Sequence, residues 1–268
     1  IIEEGFVQAF DQLILSIIKS KDNTKLQKIS LGQIKGTIET FSIKEEKFIN
    51  EIYHVKMNVS FNKKSVFDIL ERQNIFPSLP VKKNIFFIPI IIDDDAGETQ
   101  IFNENIIHKN WNENVKNFHL LNYILPIADI EDYNFLKKNS ANIENLDFSK
   151  LVNKYNLKDY IISIIFKKNK NIKLLNKINI NNKQDLKKIE IKSINFENPN
   201  EVKKLIKNLK TIFEDQWKQE NEINTSIKLL LTISIENINN LRIKEFEQNL
   251  DKGDLINDFY IYKFDNKN

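Results

Sequence analysis

Three consecutive aspartates, Asp93, Asp94 and Asp95, follow the most apolar run of the chain, residues 85–92. A run that is apolar on both faces is typical of a central strand covered by helices on both sides. Ligands of open α/β sheets bind beyond the carboxyl ends of such strands, and clustered carboxylates can hold Mg²⁺. Aspartate is also a preferred turn residue, and we expect a turn that ends at Gly97 rather than a metal site.

A second acidic group, Asp129, Glu131 and Asp132, follows the strand predicted at 120–127. Pro126 has no N–H to donate and therefore ends the pairing of that strand. We expect Asp129 to cap a short helix, with Glu131 and Asp132 in its first turn, where the helix dipole favours negative charge. The alternative is a metal-dependent hydrolase or nuclease that uses the carboxylates of one of these groups, either Asp93 to Asp95 or Asp129 and Asp132. It would require one acid in an apolar pocket that raises its pKa.

The remaining residue types offer little to catalysis. The chain has no Cys, and its three histidines lack the spacing of metal ligands. Walker A, G-x-G-x-x-G and G-x-S-x-G patterns are also missing from the sequence. We therefore predict a protein that is not an enzyme and that has no catalytic residue, cofactor or metal. At most, the acidic residues form a structural motif or an interaction surface.

The charge balance does not favour specific recognition of nucleic acid. The formal net charge is only +3, and Arg72 and Arg242 are the only arginines. Arginine is the residue that reads phosphate and guanine in bidentate geometry, so specific binding to nucleic acid is not expected. An RNA-binding protein with Lys-rich faces, such as residues 167–173, is a further alternative.

Hydrophobic periodicity divides the chain into helices and strands. Alternation is strictest where Tyr53, Val55, Met57, Val59 and Phe61 are predicted to be buried and Lys56, Asn58 and Ser60 exposed. Helices are predicted at 3–19, 63–73, 103–118, 147–156, 199–219 and 238–250. Strands are predicted at 34–41, 52–61, 85–92, 120–127, 160–166, 171–180, 187–194, 227–235 and 255–264.

This order predicts an α/β (α+β) protein of two to three small units, in which mixed sheets pack against amphipathic helices. The expected units are 1–80, 81–168 and 169–268. The third unit resembles the first in its strand–helix–strand order. It is either a short, divergent version of such a unit or one that is truncated at its C-terminal end. No apolar run reaches the roughly 18 residues that cross a bilayer, so no transmembrane segment is expected.

Four stretches resemble the bacterial envelope family called domain of unknown function 2066. They are GFVQAFDQLILSII, YHVKMNVSFNKKSVFDILERQNIF, LLNYILPIADIEDYNFL with its continuation LDFSKLVNKYNLKDYIISIIF, and the Trp217 helix followed by IKLLLTISIENINNLRIKEFEQNL. The region RQNIFPSLPVKKN departs from the family, because it lacks the usual Trp and Arg-Pro before the central strand.

This resemblance implies an exported periplasmic protein of Gram-negative bacteria, with its signal peptide removed and no assigned enzymatic role. The implied function is interaction with another envelope protein. The α/β units are similar in style to the N-terminal domain of TolB, which is an analogy of fold alone. The absence of Cys also suits a secreted or periplasmic protein.

Overall fold

The computed structural model describes residues 1–26, 29–113, 115–225, 227–234, 240–251, 253, 256 and 258–263. It is 40% helical and 28% strand, with a mixed sheet packed against helices, which confirms the predicted α/β (α+β) class. The helices are α1 (Ile2–Ile17), α2 (Leu31–Lys35), α3 (Lys63–Arg72), α4 (Ile106–Asn110), α5 (Ile130–Lys138), α6 (Ser149–Asn153), α7 (Pro199–Glu220) and α8 (Asn240–Asp251). The strands are β1 (Ile38–Ile49), β2 (Ile52–Phe61), β3 (Lys83–Asp93), β4 (Glu98–Gln100), β5 (Leu121–Ile124), β6 (Tyr160–Lys168), β7 (Asn171–Ile180) and β8 (Lys183–Ile191). None of the helices within the described ranges is both long and apolar enough to cross a membrane.

The chain forms two compact units, which differ from the three consecutive units expected from the sequence. Unit 1 comprises Ile1–Phe10, Lys25–Pro77 and Asn224–Asn268, and unit 2 comprises Asp11–Thr24 and Ser78–Ile223. The expected boundary between residues 168 and 169 falls between β6 and β7, which pair with each other over their whole length. Sheet pairing therefore joins the second and third expected units.

Unit 1 contains the antiparallel hairpin of β1 and β2. Phe6 and Phe10 of α1 make edge-to-face contacts with Phe41 and Phe61, at centroid distances of 5.1 and 5.8 Å. Gly5 lies so close to the Met57 sulfur that a Cβ atom at this position would clash with it.

The structure confirms the predicted alternation of β2, but the inner side chains are less buried than predicted. Lys56, Asn58 and Ser60 are exposed as predicted, whereas Val55, Met57, Val59 and Phe61, which are predicted to be buried, are only half-buried. Tyr53 is 39% exposed, which contradicts its predicted burial. A two-stranded sheet has too little surface to bury a complete face, so the inner side chains keep part of their contact with solvent.

The final part of the chain differs from the sequence prediction. The structure confirms a helix, α8, but residues 227–234 form no strand, and Leu229, Leu230 and Leu231 are largely exposed. Residues 258–263 also form no strand. Residue 235 of the predicted strand at 227–235 lies outside the described residues. Residues 255, 257 and 264 of the predicted strand at 255–264 lie outside them as well.

Unit 2 is built on a six-stranded mixed sheet. Strand β3 pairs in parallel with β6 along one edge. On its other edge β3 pairs in parallel with β5 and then antiparallel with β4. Antiparallel β7 and β8 extend the sheet beyond β6, so β8 is an outermost strand.

The two faces of this sheet bury separate apolar clusters, as predicted for the central strand. Alternate residues of β3 enter each cluster, since successive side chains of a strand point to opposite faces. One cluster joins Ile85, Phe87 and Ile91 to the buried side of α7. The other joins Phe86, Ile88 and Ile90 to residues of α5 and α6.

Two further elements of unit 2 have residues that suit their local geometry. Asn181 and Asn182 connect β7 to β8 with φ angles of 52° and 62°, the left-handed conformation that tight hairpin turns require. Asn198 caps α7, and Pro199 occupies its first turn.

The predicted helix at 103–118 is wrong in length, because α4 spans only Ile106–Asn110 and Val115 is 65% exposed. The polar segment that follows α4 offers no continuous apolar stripe to bury.

Candidate functional site

The aspartates after β3 form a turn, as predicted. The Asp93 carboxylate accepts hydrogen bonds from the backbone N–H groups of Asp95 and Ala96, at 3.1 and 3.2 Å. It also pairs with the Lys167 ammonium at 2.5 Å and is almost fully buried. Burial acts to raise the pKa of Asp93, but Lys167 and the backbone donors outweigh it, and the pKa is lowered.

The other two aspartates of this turn have different surroundings. Asp95 is exposed, and its carboxylate accepts a hydrogen bond from the backbone N–H of Asn169. Asp94 is exposed, and its backbone N–H donates to the Lys167 carbonyl oxygen at 2.9 Å. Gly97 completes the turn with a φ angle of 67°. The three carboxylates therefore do not converge on a common point.

The acidic group at α5 caps the helix. Asp129 is the N-cap residue, and its side chain accepts the backbone N–H of Asp132 at 3.0 Å. This hydrogen bond lowers the pKa of Asp129. Glu131 and Asp132 occupy the first turn of α5 and pair with Lys150 and Lys154 of the α6 region. Each acid thus has a partner that accounts for its position.

Neither acidic group forms a metal-ligand set with other residues. In the ranges that the structure describes, no group of three or more His, Asp or Glu side chains could hold a metal ion. His108 contacts the Pro126 carbonyl oxygen through Nε2 at 3.1 Å, and burial lowers its pKa. Burial together with Lys210, Lys218 and Lys116 lowers the pKa of His119 to about 4, so this ring is neutral at physiological pH.

Sequence reasoning missed a row of buried charges on α7. Lys210, Glu214 and Lys218 follow one another at four-residue intervals and are each at most 6% exposed. Glu214 accepts the backbone N–H groups of Leu120 and Leu121, each at 3.0 Å in its closer contact. Burial raises the pKa of Glu214 and lowers that of Lys210 and Lys218. The available sequence signal was their four-residue spacing, which places the three charged residues on the same side of the helix as Phe213 and Trp217.

These buried charges fix the position of α7 on the sheet. Glu214 attaches the helix to the start of β5, and Trp217 donates its Nε1–H to the Val81 carbonyl oxygen at 2.7 Å. The Lys210 ammonium lies 5.5 Å from the ring centroid of Trp111, a cation–π distance. These contacts hold one side of α7 in place. The opposite side of the helix lies next to β8.

An open apolar groove of about 380 Å³ lies between β8 and α7. We call it the β8–α7 groove, and it is lined by Ile189, Ile191, Leu205, Asn208, Leu209, Thr211 and Ile212. The two isoleucines of β8 and Ile212 are only half-buried, although the sequence predicts Ile212 on the buried face of its helix. The groove therefore presents apolar surface to the solvent.

The groove lies beside an unpaired strand edge. Strand β8 pairs with β7 along one side, and no other described strand pairs with its outer side. Such an edge presents a row of backbone N–H and C=O groups that a further strand can pair with. An edge strand next to an apolar groove is the arrangement by which many domains bind extended peptides.

Charged side chains of both signs lie around the groove. Lys204 and Lys207 lie one helical turn before the groove residues Asn208 and Thr211 and are exposed. Lys187 precedes Ile189 on the same face of β8. Within the described part of the chain, Lys204 and Lys207 have no ion-pair partner, and Lys187 lies 4.0 Å from Asp185.

The two acids at either end of this helix flank have other partners. Glu201 accepts hydrogen bonds from the backbone N–H of Asn195 and the side-chain amide of Asn198, at 2.7 and 3.1 Å. Asp215 accepts from the backbone N–H of Ser20 at 2.8 Å and from its hydroxyl group. These neutral donors leave both carboxylates negatively charged, so the rim of the groove carries acids as well as lysines.

Comparison of the chain with protein-family models, with curated proteins and with solved structures finds no match in any of the three.

Proposed function

We propose that this protein is a non-enzymatic interaction module of the bacterial cell envelope that binds another envelope protein at the β8–α7 groove. The observation that carries the proposal is an unpaired strand edge next to an apolar groove. Main-chain hydrogen bonds along such an edge give affinity, and a neighbouring pocket that accepts alternate side chains gives specificity.

The groove has the composition of a binding surface. Its apolar centre is formed by the side chains of Ile189, Ile191 and Ile212, and charged side chains of both signs lie around it. Interfaces commonly combine an apolar centre with a polar rim. The surface lies on two regular elements, and α7 is attached to the sheet through buried Glu214 and Trp217. It is therefore formed before a partner arrives, which lowers the entropic cost of binding.

The envelope location is supported by the resemblance of four segments to the family called domain of unknown function 2066. The lack of Cys suits an exported protein as well. On this basis the proposed compartment is the periplasm, and the partner is a protein of the same compartment.

The carboxylates favour this proposal over a hydrolase or nuclease. Asp93 and Asp132 are buried against lysines, and Asp129 caps a helix. The lysine-rich turn also favours it over RNA binding, because Lys167 and Lys173 at its two ends pair with Asp93 and Glu190. Such pairing neutralises the charge that phosphate contacts need.

Site-specific photo-crosslinking in native cells tests the proposal. A benzophenone amino acid replaces Thr211 in the groove or, as a control, Lys150, which is 72% exposed on α6 over the other face of the sheet. We expect Thr211 to give a discrete adduct whose second component mass spectrometry identifies as a periplasmic or membrane protein. The Lys150 variant should lack that adduct. Equal adducts at both positions, or a cytosolic protein as the component, would refute the proposal.

A further inference from the structure

We infer that residues 227–234, which we call the strap, close on the free edge of β1 and pair with it as a third strand of the β1–β2 sheet. The strap and the hairpin belong to unit 1, whereas the β8–α7 groove belongs to unit 2, so the strap is independent of the proposed function. In the structure the strap is open, and its apolar side chains lie in solvent. The residue pattern of the strap, the uncovered part of the hairpin and the free edge of β1 support its closure.

The strap has the alternation of a strand that covers an apolar surface with one face. Its apolar residues at every second position are Ile227, Leu229, Leu231 and Ile233. In β conformation these four side chains would share one face, and the other face would be polar except for Leu230. All four are exposed in the open strap. A row of large apolar side chains in water favours a state that buries it.

The hairpin leaves apolar surface uncovered on the side of β1. Phe41 and Ile43 of β1 lie directly opposite Val59 and Met57 of β2, so the four side chains share one face. Phe41 is 51% exposed and Ile43 is 41% exposed, whereas Val59 and Met57 are half-buried. The apolar surface that remains in solvent therefore lies at the edge of β1 and not at that of β2.

The edge of β1 also has backbone groups available for pairing. Strand β1 pairs with β2 along one side, and no other described strand pairs with its outer side. A strap paired there would place its apolar residues beside Phe41 and Ile43, and its polar residues would continue the polar face of Thr40 and Ser42. Two strands alone form a marginally stable sheet, and a third strand stabilises it.

Residues 258–263 of unit 1 suit this edge less well. Phe259, Tyr260, Ile261 and Tyr262 follow one another with no polar residue between them. As a strand this segment would direct large side chains to both faces of the sheet, and those on the polar face would stay in water. The strap has the pattern that the edge of β1 requires.

Closure of the strap would give the β1 edge a partner from its own chain. Unpaired edges are sites at which strands of other molecules add to a sheet. A closed strap would occupy the N–H and C=O groups that such a strand needs. The strap therefore acts as a guard that protects the hairpin from strand addition.

The experiment measures amide hydrogen exchange of the full chain by NMR. In each strand of the hairpin, alternate N–H groups pair between β1 and β2 and the others point to the outer edges. We expect outer-edge N–H groups of β1 within residues 38–43 to exchange at least about tenfold more slowly than those of β2 within residues 57–61. The rates should not depend on protein concentration, because the strap and the edge belong to one chain.

Two matched variants identify the strap as the source of this protection. Leu231→Glu changes the apolar face of the closed strap and should accelerate exchange at the β1 edge by about tenfold or more. Leu230→Glu makes the same change at the neighbouring position on the polar face and should leave exchange as in wild type. Both side chains are largely exposed in the open strap, so an unpaired strap would respond to the two changes alike.

Three outcomes would overturn the inference. They are equal exchange at the two edges of the hairpin, equal effects of Leu230→Glu and Leu231→Glu, and protection that grows with protein concentration. Circular dichroism checks that each variant keeps its fold. None of these measurements involves the β8–α7 groove, so the Thr211 adduct tests the proposed function separately.

Discussion

The side-chain amide of Asn105 donates a hydrogen bond to the carbonyl oxygen of Pro89 at 3.0 Å. Pro89 lies in β3 between the residues that pair with β5 and those that pair with β4, at a part of the edge that no described strand pairs with. Asn105 is fully buried and also caps α4 by accepting the backbone N–H groups of Ile107 and His108. One side chain thus joins a helix start to an unpaired part of the central strand.

The substitution Asn105→Ala should therefore cost more than the loss of an ordinary helix cap. It removes the cap and leaves a buried carbonyl group without its donor, for a combined loss of about 2–4 kcal/mol. Asn198→Ala, which removes the cap of α7 at a less buried position, should cost about 1 kcal/mol. Urea unfolding of both variants gives the comparison. Equal losses would show that the bond to Pro89 contributes nothing.

Asp129→Ala should lower the melting temperature, because it removes the carboxylate that accepts the Asp132 N–H at the start of α5. Millimolar Mg²⁺ or Ca²⁺ should leave the melting temperature of wild type and variant unchanged. A ligand that binds the folded state raises its melting temperature, so thermal melts with and without metal are informative. A metal-dependent increase confined to wild type would support the hydrolase or nuclease alternative.

The ion pair of Asp93 with Lys167 should make stability depend on pH. The folded-state pKa of Asp93 is lowered, so its contribution is complete above the unfolded value of about 3.9 and is lost as the pH falls through the folded value. Asp93→Asn should cost about 1–3 kcal/mol at pH 7, and this difference from wild type should shrink in acid. Asp94→Asn, at an exposed position of the same turn, is the control and should match wild type at each pH.

Glu214 should show the opposite dependence on pH. Its raised pKa means that the folded state holds the proton more tightly than the unfolded chain does. Its contribution to stability therefore falls as the pH rises from about 4.3 through the folded-state value. Glu214→Gln keeps an acceptor for the Leu120 and Leu121 N–H groups and should remove this fall.

Glu214→Ala tests the structural role of the same carboxylate. It leaves two buried backbone N–H groups without an acceptor and should cost about 2–4 kcal/mol. Denaturant midpoints measured across a pH series separate the two effects. A Gln variant with the pH slope of wild type would show that Glu214 does not titrate as described.

Trp217→Ala should destabilise the protein by about 3–5 kcal/mol, because the ring is 3% exposed and its N–H bonds to Val81. The sequence predicts the same loss for Phe67→Ala, but the structure leaves Phe67 half-buried on α3. The expected loss for Phe67→Ala is therefore smaller, at about 1–2 kcal/mol. Unfolding followed by tryptophan fluorescence and by circular dichroism measures both. An equal loss would mean that Phe67 is as well packed as Trp217.

Sequence periodicity and local turn chemistry determined much of unit 2. The double-sided apolar pattern of β3, the stripe of α7, the Asn181–Asn182 turn and the Asp129 cap each depend on residues close together in the chain. Such features can be predicted because their hydrogen bonds and burial patterns repeat within a few residues. The α/β class follows from the order of these elements.

The tertiary structure alone decided which of these elements meet. Glu214 and Leu120 are 94 positions apart in the sequence. The burial of the Glu214 carboxylate is explained by the backbone N–H groups at the start of β5, which only the fold brings next to it. The half-burial of β2 likewise depends on how many strands pair beside it, not on its own alternation. The β8–α7 groove arises because α7 is held on the sheet at one side while β8 ends the sheet at the other. Contacts between distant segments have no signature in local periodicity, since they depend on which surfaces the folded chain leaves uncovered.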